Sequence, residues 1–128
     1  MSATIPVLQS YIAGRWVGST PAAALKSAIN GRTVFHTHAE SIDTAEALRH
    51  ARRRGTAALL AMDFQARAAR LRALAAYLTE HKEALYAVSA HTGATRSDGW
   101  VDIEGGIGTM LTFASKGRRE LPNTRVLT

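Results

Sequence analysis

A glycine-rich amphipathic segment limits how this chain can fold more than any other feature. Apolar side chains recur there at helical spacing and predict a helix with one apolar face: Val101, Ile107, Met110, Leu111 and Ala114. The same segment contains Gly105, Gly106 and Gly108, and each interior glycine costs a helix about 1 kcal/mol relative to alanine. A helix that keeps three of them must gain something from the missing side chains. Either another backbone packs closely against this face, which is the commoner reason, or a ligand passes along it.

Extended segments are predicted in the first third of the chain. The residues from Leu8 to Val17 include strand formers on both sides of Ala13-Gly14, a pair that predicts a tight turn accepting positive φ. Gly18-Ser19-Thr20-Pro21 ends this strand pair with loop chemistry. A second extended segment, from Thr33 to Thr37, follows the turn signal Asn30-Gly31.

Two histidines in the second extended segment raise the question of a metal site. His36 and His38 lie on one face because side chains alternate along a strand. Two imidazoles could bind zinc, but no third ligand of convincing spacing lies nearby. We therefore predict a solvated or edge strand and no metal site.

Helical patterns occupy most of the chain after residue 42. Asp43 and Glu46 have the spacing of a capping box and predict a helix start. This first helix carries an apolar stripe that we expect to be buried: Leu48, Ala51, Gly55, Leu59 and Met62. A second, alanine-rich helix is predicted from Asp63 to Glu80.

A third helix is predicted from His81 to Ser89, with Leu85 and Val88 facing inward and Tyr86 at its edge. These elements lead into the glycine-bearing helix.

The glycine-bearing helix is predicted to begin at Ser97 or Asp98, either of which could serve as its cap. Trp100 is expected to anchor it in a packing groove, with an aromatic contact to a ligand as the alternative. The helix is expected to fray at Lys116-Gly117. The predicted fold class is therefore α+β and mostly helical, with short N-terminal β-strands followed by about four helices.

Composition leaves two other classes of function open. The formal net charge is +6 and the chain contains no cysteine, which excludes a disulfide framework and a cysteine nucleophile within these residues. The basic run R-H-A-R-R-R, residues 49–54, would suit nucleic acid, but no aromatic side chains are interleaved to stack bases, so we predict a solvated helix surface. A stand-alone helical interaction module is the other alternative.

The first residues lack the pattern of a signal peptide, so a cytoplasmic location is expected.

The run from Thr92 to Ser115, T-G-A-T-R-S-D-G-W-V-D-I-E-G-G-I-G-T-M-L-T-F-A-S, resembles the N-terminal part of the aldehyde dehydrogenase family. The likeness extends from about Leu8 to Pro122, and D-I-E-G-G-I-G-T is its most specific part. It is closest to the branch that oxidises semialdehydes linked to coenzyme A in phenylacetate degradation. Thr92-Gly93 predicts a helix stop, after which common relatives carry Gly-Lys. Here Gly93 precedes Ala94, which argues against a generic aldehyde substrate.

This resemblance implies that residues 1–128 are the N-terminal portion of an aldehyde dehydrogenase-like domain with an α/β parent fold. Members of the family carry their catalytic cysteine, general-base glutamate and most cofactor contacts later in the chain. No catalytic, cofactor-binding or metal residue is therefore assigned here, and the chain is predicted to be inactive by itself. By the same resemblance, Gly105, Gly106, Thr109 and Phe113 fall near the substrate tunnel.

The narrower likeness also implies properties of the parent enzyme. It would use NADP, act on a semialdehyde carrying a coenzyme A thioester, and assemble as a homo-oligomer in the cytoplasm. Some relatives of this kind carry a hydratase-like domain that opens the oxepin ring. The exact semialdehyde, the choice between NAD and NADP, and the presence of that second domain stay open at this point.

Overall fold

A computed structural model of the chain describes residues 4–127. The chain divides into two compact units. The first comprises the residues up to Gly55 together with His91–Gly93, and the second comprises Thr56–Ala90 and the residues from Ala94 onward. The order of elements is that of short N-terminal antiparallel hairpins followed by four helical stretches, so the predicted fold class is confirmed. No helix within 4–127 is long and apolar enough to cross a membrane.

Two β-hairpins build the first unit. Strands β1 (Ser10–Ile12) and β2 (Arg15–Val17) pair around Ala13 and Gly14, whose φ angles of 51° and 85° confirm the predicted turn. Strands β3 (Pro21–Lys26) and β4 (Thr33–His38) form the second antiparallel hairpin. Strand β3 was not predicted because its sequence, P-A-A-A-L-K, lacks strand formers. Its extended conformation comes from pairing with β4.

The first helical stretch begins as predicted but does not bury its stripe. Helix α1 (Thr44–His50) is capped by Asp43, whose Oδ1 accepts a hydrogen bond from the Glu46 N–H at 2.8 Å. A π-helical segment (Ala51–Thr56) and the short helix α2 (Ala57–Leu60) follow. No residue of these three elements is buried, and Leu48 and Leu59 are 52% and 53% exposed. The predicted burial is wrong, because periodicity places residues on one face but does not supply a partner for it.

The second unit packs its helices through small side chains. Helix α3 (Phe64–Glu80) lies against α6 (Gly105–Glu120), with α4 (Lys82–Ala90), α5 (Arg96–Gly99) and a π-helical segment (Trp100–Glu104) between them in sequence. Its buried apolar residues are Ala68, Ala75, Tyr86, Ile107 and Ala114.

Helix α6 runs past its predicted end. We expected it to fray at Lys116-Gly117, but it continues to Glu120. The reason is a close helix contact, since a Cβ placed on Gly117 would lie 3.3 Å from the Ala68 Cβ. Gly117 therefore allows α6 to pack on α3 instead of ending the helix.

Glu40 makes the first unit sensitive to acid. Its Oε1 accepts hydrogen bonds from the backbone N–H groups of Ser19 and Thr20, both at 2.9 Å. These bonds to the charged form lower the pKa of Glu40 to about 2. A lowered pKa contributes stability above the unfolded value of 4.5, and this contribution is lost as pH falls from 4.5 through about 2.

We therefore expect Glu40→Gln to flatten the fall in unfolding midpoint between pH 5 and pH 2, because the side chain no longer binds a proton. Urea titrations at several pH values, followed by far-UV circular dichroism, measure the slope. Glu120→Gln is the matched control, since this exposed carboxylate lies 3.9 Å from Lys116 and accepts no backbone N–H bond among those described. Equal slopes in parent and Glu40→Gln would contradict the assignment.

Candidate functional site

The helical stretch that leads into the three glycines begins, at the short helix α5, with a reciprocal cap. Thr95 is the N-cap: its Oγ1 accepts from the Asp98 N–H at 3.2 Å, and the Asp98 carboxylate accepts from the Thr95 N–H at 3.0 Å. The hydrogen bond from the Thr95 hydroxyl lowers the pKa of Asp98, which keeps the cap charged. The predicted cap at Ser97 or Asp98 is therefore wrong. Asp98 takes part in the cap as the third residue of the box, not as the N-cap.

A π-helical segment precedes the glycine pair. It spans Trp100–Glu104, and α6 starts at Gly105. Trp100 is 58% exposed, so the expected packing anchor is wrong. Segments of this kind inside helices occur frequently at functional sites.

Glu104 connects this segment to α4. Its Oε1 accepts hydrogen bonds from the Tyr86 hydroxyl at 3.0 Å and from Lys82 Nζ at 3.2 Å. These two donors, with Tyr86 the larger effect, lower the pKa of Glu104. The Arg96 guanidinium lies 4.3 Å from the centre of the Tyr86 ring. The end of the π-helical segment is thus held in one position relative to α4.

The inward face of α4 differs from the prediction. Tyr86 is buried, whereas Leu85 and Val88, which were predicted to face inward, are exposed. The hydroxyl of Tyr86 reaches Glu104 only because the two helices meet in the tertiary structure. Spacing along one helix does not report such a partner.

We expect Tyr86→Phe to lower the thermal unfolding midpoint and to raise the pKa of Glu104 toward its ordinary value, because the carboxylate loses a donor. Thermal denaturation and NMR titration of the Glu104 carboxyl carbon measure the two effects. Tyr77→Phe removes a hydroxyl from an exposed ring and is the control. If the Glu104 titration is unchanged in Tyr86→Phe, the proposed bond does not form in solution.

The three unusual glycines are open to their surroundings. A Cβ added to Gly105, Gly106 or Gly108 would meet no atom of the described residues within 4 Å. Close packing, the commoner explanation, therefore fails at these positions within the residues described. Close packing is instead found at Gly117 and at Gly99, where a Cβ would lie 3.0 Å from the Tyr86 ring.

The four residues predicted to line a tunnel fall into two places. Gly105, Thr109 and Phe113 recur every fourth residue and form one exposed face of α6, with Phe113 64% exposed. The Thr109 hydroxyl donates to the Gly105 carbonyl at 2.9 Å, so it stays close to its own helix. Gly106, the fourth residue, faces a neighbouring cleft. The described residues do not enclose all four in a single cavity.

A cleft in the second unit lies beside Gly106. It has a volume of about 520 Å³, within the range of small-molecule sites. Apolar side chains dominate its wall: Leu78, Leu85, Val88, Ile103, Ile107 and Met110, with Ser89 and Asp102 also contributing. Sequence analysis missed it as a site because Leu85, Val88, Ile107 and Met110 were assigned to apolar helix faces expected to pack. Such a cleft can accept an apolar chain, and Asp102 supplies a carboxylate at its wall.

The two histidines of β4 do not form a metal site in this arrangement. Within 4–127, no three His, Asp or Glu side chains are placed to hold a metal ion. We predicted a solvated or edge strand, and β4 is an edge strand of its two-stranded sheet, although the side chain of His38 is only 11% exposed. It contacts Ser10 and Glu40 in the first unit.

Comparison with known proteins gives two matches. The aldehyde dehydrogenase family profile matches residues 16–127. The 3,4-dehydroadipyl-CoA semialdehyde dehydrogenase of Aromatoleum evansii is 34% identical over 113 residues, which is 87% of this chain and 22% of that protein. The chain thus spans about a fifth of the length of this relative.

Proposed function

The chain belongs to the aldehyde dehydrogenase family, and we propose that residues 1–128 form the N-terminal portion of a dehydrogenase domain that oxidises a semialdehyde linked to coenzyme A. The relative named above, with a substrate of this kind in its name, supports the substrate class. Phenylacetate degradation is the proposed setting, because it generates semialdehydes of this type. Ala94 follows Gly93 where common relatives carry a lysine, and this difference also favours a substrate other than a generic aldehyde.

One observation carries the proposal for the site: the glycines of α6 are open, and Gly106 faces an apolar cleft. We propose that Gly105, Gly106, Thr109 and Phe113 line the passage taken by the substrate. The carbon chain of the semialdehyde would lie against the apolar wall, where its methylene groups are removed from water. The absence of side chains at Gly105 and Gly106 would leave room for a bulky coenzyme A conjugate.

The family is NAD(P)-dependent in general, and NADP is the cofactor we propose for this enzyme. Three helix starts of this chain do not suit the phosphates of a dinucleotide. Helix N-termini are common phosphate sites, but α1 and α3 are capped by the carboxylates of Asp43 and Asp63, and Asp98 lies at the start of α5. A carboxylate at each of these positions would repel a phosphate. We therefore assign no cofactor contact and no catalytic group of the dehydrogenase reaction to this chain, and propose that both lie elsewhere in the enzyme.

A chimera tests the proposed function. This chain would replace the matched segment of the Aromatoleum evansii dehydrogenase, and reduction of NADP and of NAD would be followed with 3,4-dehydroadipyl-CoA semialdehyde. We expect a folded chimera that keeps activity with the coenzyme A substrate and elutes as a homo-oligomer in size-exclusion chromatography. The unmodified enzyme is the reference. A chimera that folds and assembles like the reference but does not oxidise this substrate would refute the proposal.

A further inference from the structure

Ser10, His38 and Glu40 converge in the first unit, far from the glycine-bearing helix in sequence. Ser10 Oγ lies 3.1 Å from Nε2 of His38. The other ring nitrogen, Nδ1, lies 3.5 Å from Oε2 of Glu40. A hydroxyl within hydrogen-bond reach of an imidazole, with a carboxylate on the far side of the ring, is the arrangement that activates a serine nucleophile.

Hydrogen bonds from Ser19 and Thr20 hold the Glu40 carboxylate in place. Glu40 Oε1 accepts from the backbone N–H groups of Ser19 and Thr20 and from the Ser19 hydroxyl. These bonds occupy Oε1 and leave Oε2 facing the ring, where Oε2 and His38 Nδ1 are both buried, 3.5 Å apart, and without a hydrogen-bond partner among the described residues. They also lower the pKa of Glu40, so the carboxylate stays charged well below neutral pH. A charged carboxylate beside Nδ1 favours the tautomer with the proton on Nδ1, and Nε2 is then free to accept from Ser10.

The imidazole itself is confined by its surroundings. A Cβ placed on Gly18 would lie 2.5 Å from the His38 ring, so the ring occupies the space that a side chain at this position would fill. With Ser10 on one side and Glu40 on the other, the ring has little freedom to turn. Such confinement is the property a general base needs to hold its geometry.

We propose that Ser10 is an activated nucleophile that takes an acyl group from an activated ester or thioester. Ser10 Oγ attacks the carbonyl carbon while its proton passes to Nε2 of His38. The C–O or C–S bond then breaks, and the proton leaves with the alcohol or thiol. The products are an acyl ester on Ser10 and the free alcohol or thiol, so no further reactant is required. Glu40 stabilises the imidazolium formed in the first step.

An open cleft lies near this cluster, although Ser10, His38 and Glu40 are not among the residues that line it. Its volume is about 700 Å³, and its wall includes Ser19, which bonds Glu40, and His36, which shares a strand face with His38. Ser10 itself is half-buried. The inferred chemistry is independent of the proposed dehydrogenase function, because it uses only residues of the first unit.

The full 128-residue chain tests the inference with two probes, a fluorophosphonate and p-nitrophenyl acetate. Peptide mapping by mass spectrometry locates the modified residue. We expect modification at Ser10 in the native chain, none in Ser10→Ala, and a rate lowered about 100-fold or more in His38→Gln. Ser41→Ala removes an exposed hydroxyl outside the cluster and should react like the parent.

The parent chain also provides a test that needs no variant. In the native state, Ser10 should react far faster than exposed serines such as Ser41, and this preference should vanish in denaturant. Absence of label on Ser10, equal labelling of the two serines, or labelling of Ser10 that survives denaturation would overturn the inference. Circular dichroism confirms that each variant compared is folded.

Discussion

Gly106→Leu is expected to lower kcat/KM for the coenzyme A semialdehyde at least about tenfold in the chimeric dehydrogenase, a difference of about 1.4 kcal/mol in transition-state stabilisation. The reason is steric. Gly106 faces the apolar cleft, and the leucine side chain would occupy the space assigned to the substrate. We do not expect the free energy of unfolding to fall, because an added Cβ meets no atom of the described residues within 4 Å. Helix propensity alone would even raise stability by up to about 1 kcal/mol.

Comparing kcat/KM for two substrates distinguishes obstruction of the passage from misfolding of the protein. A small aldehyde needs less of the passage, so Gly106→Leu should reduce its kcat/KM much less than that of the coenzyme A conjugate. Gly55→Leu is the matched control, since Gly55 is also a helical glycine with nothing within 4 Å but lies outside the cleft. It should leave both substrates unaffected. Equal losses for the two substrates, together with a lowered melting temperature, would show that the glycine serves packing and not passage.

Gly18→Ala is expected to destabilise the chain by about 3 kcal/mol, the largest stability effect we predict for a single substitution. Gly18 has a φ of +113°, a conformation that costs an L-residue energy regardless of the space available. The added Cβ would also lie 2.5 Å from the His38 ring. The ring must therefore move, and its contacts with Ser10 and Glu40 would be lost with it.

Gly31→Ala isolates the backbone part of this effect. Gly31 also has a positive φ, +69°, but an added Cβ there meets nothing within 4 Å. We expect a cost of only about 1 kcal/mol, from the left-handed backbone alone. Urea denaturation of both variants gives the two free energies of unfolding. A cost for Gly18→Ala no larger than that for Gly31→Ala would show that the His38 ring is not packed against Gly18 in solution.

Features that depend on neighbours in sequence could be predicted well. The Ala13-Gly14 turn and the Asp43 helix cap were confirmed as predicted, because each is satisfied within four residues of chain. The family was also recognisable from the run around D-I-E-G-G-I-G-T. Hydrogen bonds of this local kind form whenever the chain adopts the corresponding turn or helix, so the residue types alone indicate them.

Features that depend on a distant partner were the ones missed. Strand β3 is extended because it pairs with β4, and its alanines gave no sign of this. The stripe through Leu48 was expected to be buried, but no described element covers it. Helical periodicity states which side chains share a face, whereas burial also needs a second surface of matching shape.

The same distinction between local and distant contacts applies to the candidate site. The sequence shows that three glycines interrupt an amphipathic helix, which needs a reason. Whether a glycine is closely packed, like Gly117, or open, like Gly105 and Gly106, depends on the tertiary structure, because the contact of Gly117 is with Ala68, almost fifty residues away in the chain. The same holds for Ser10 and His38, which are 28 residues apart and meet only where the chain folds back on itself. Local hydrogen bonding and turn geometry act over a few residues, while packing joins whichever side chains the fold brings within a few ångströms.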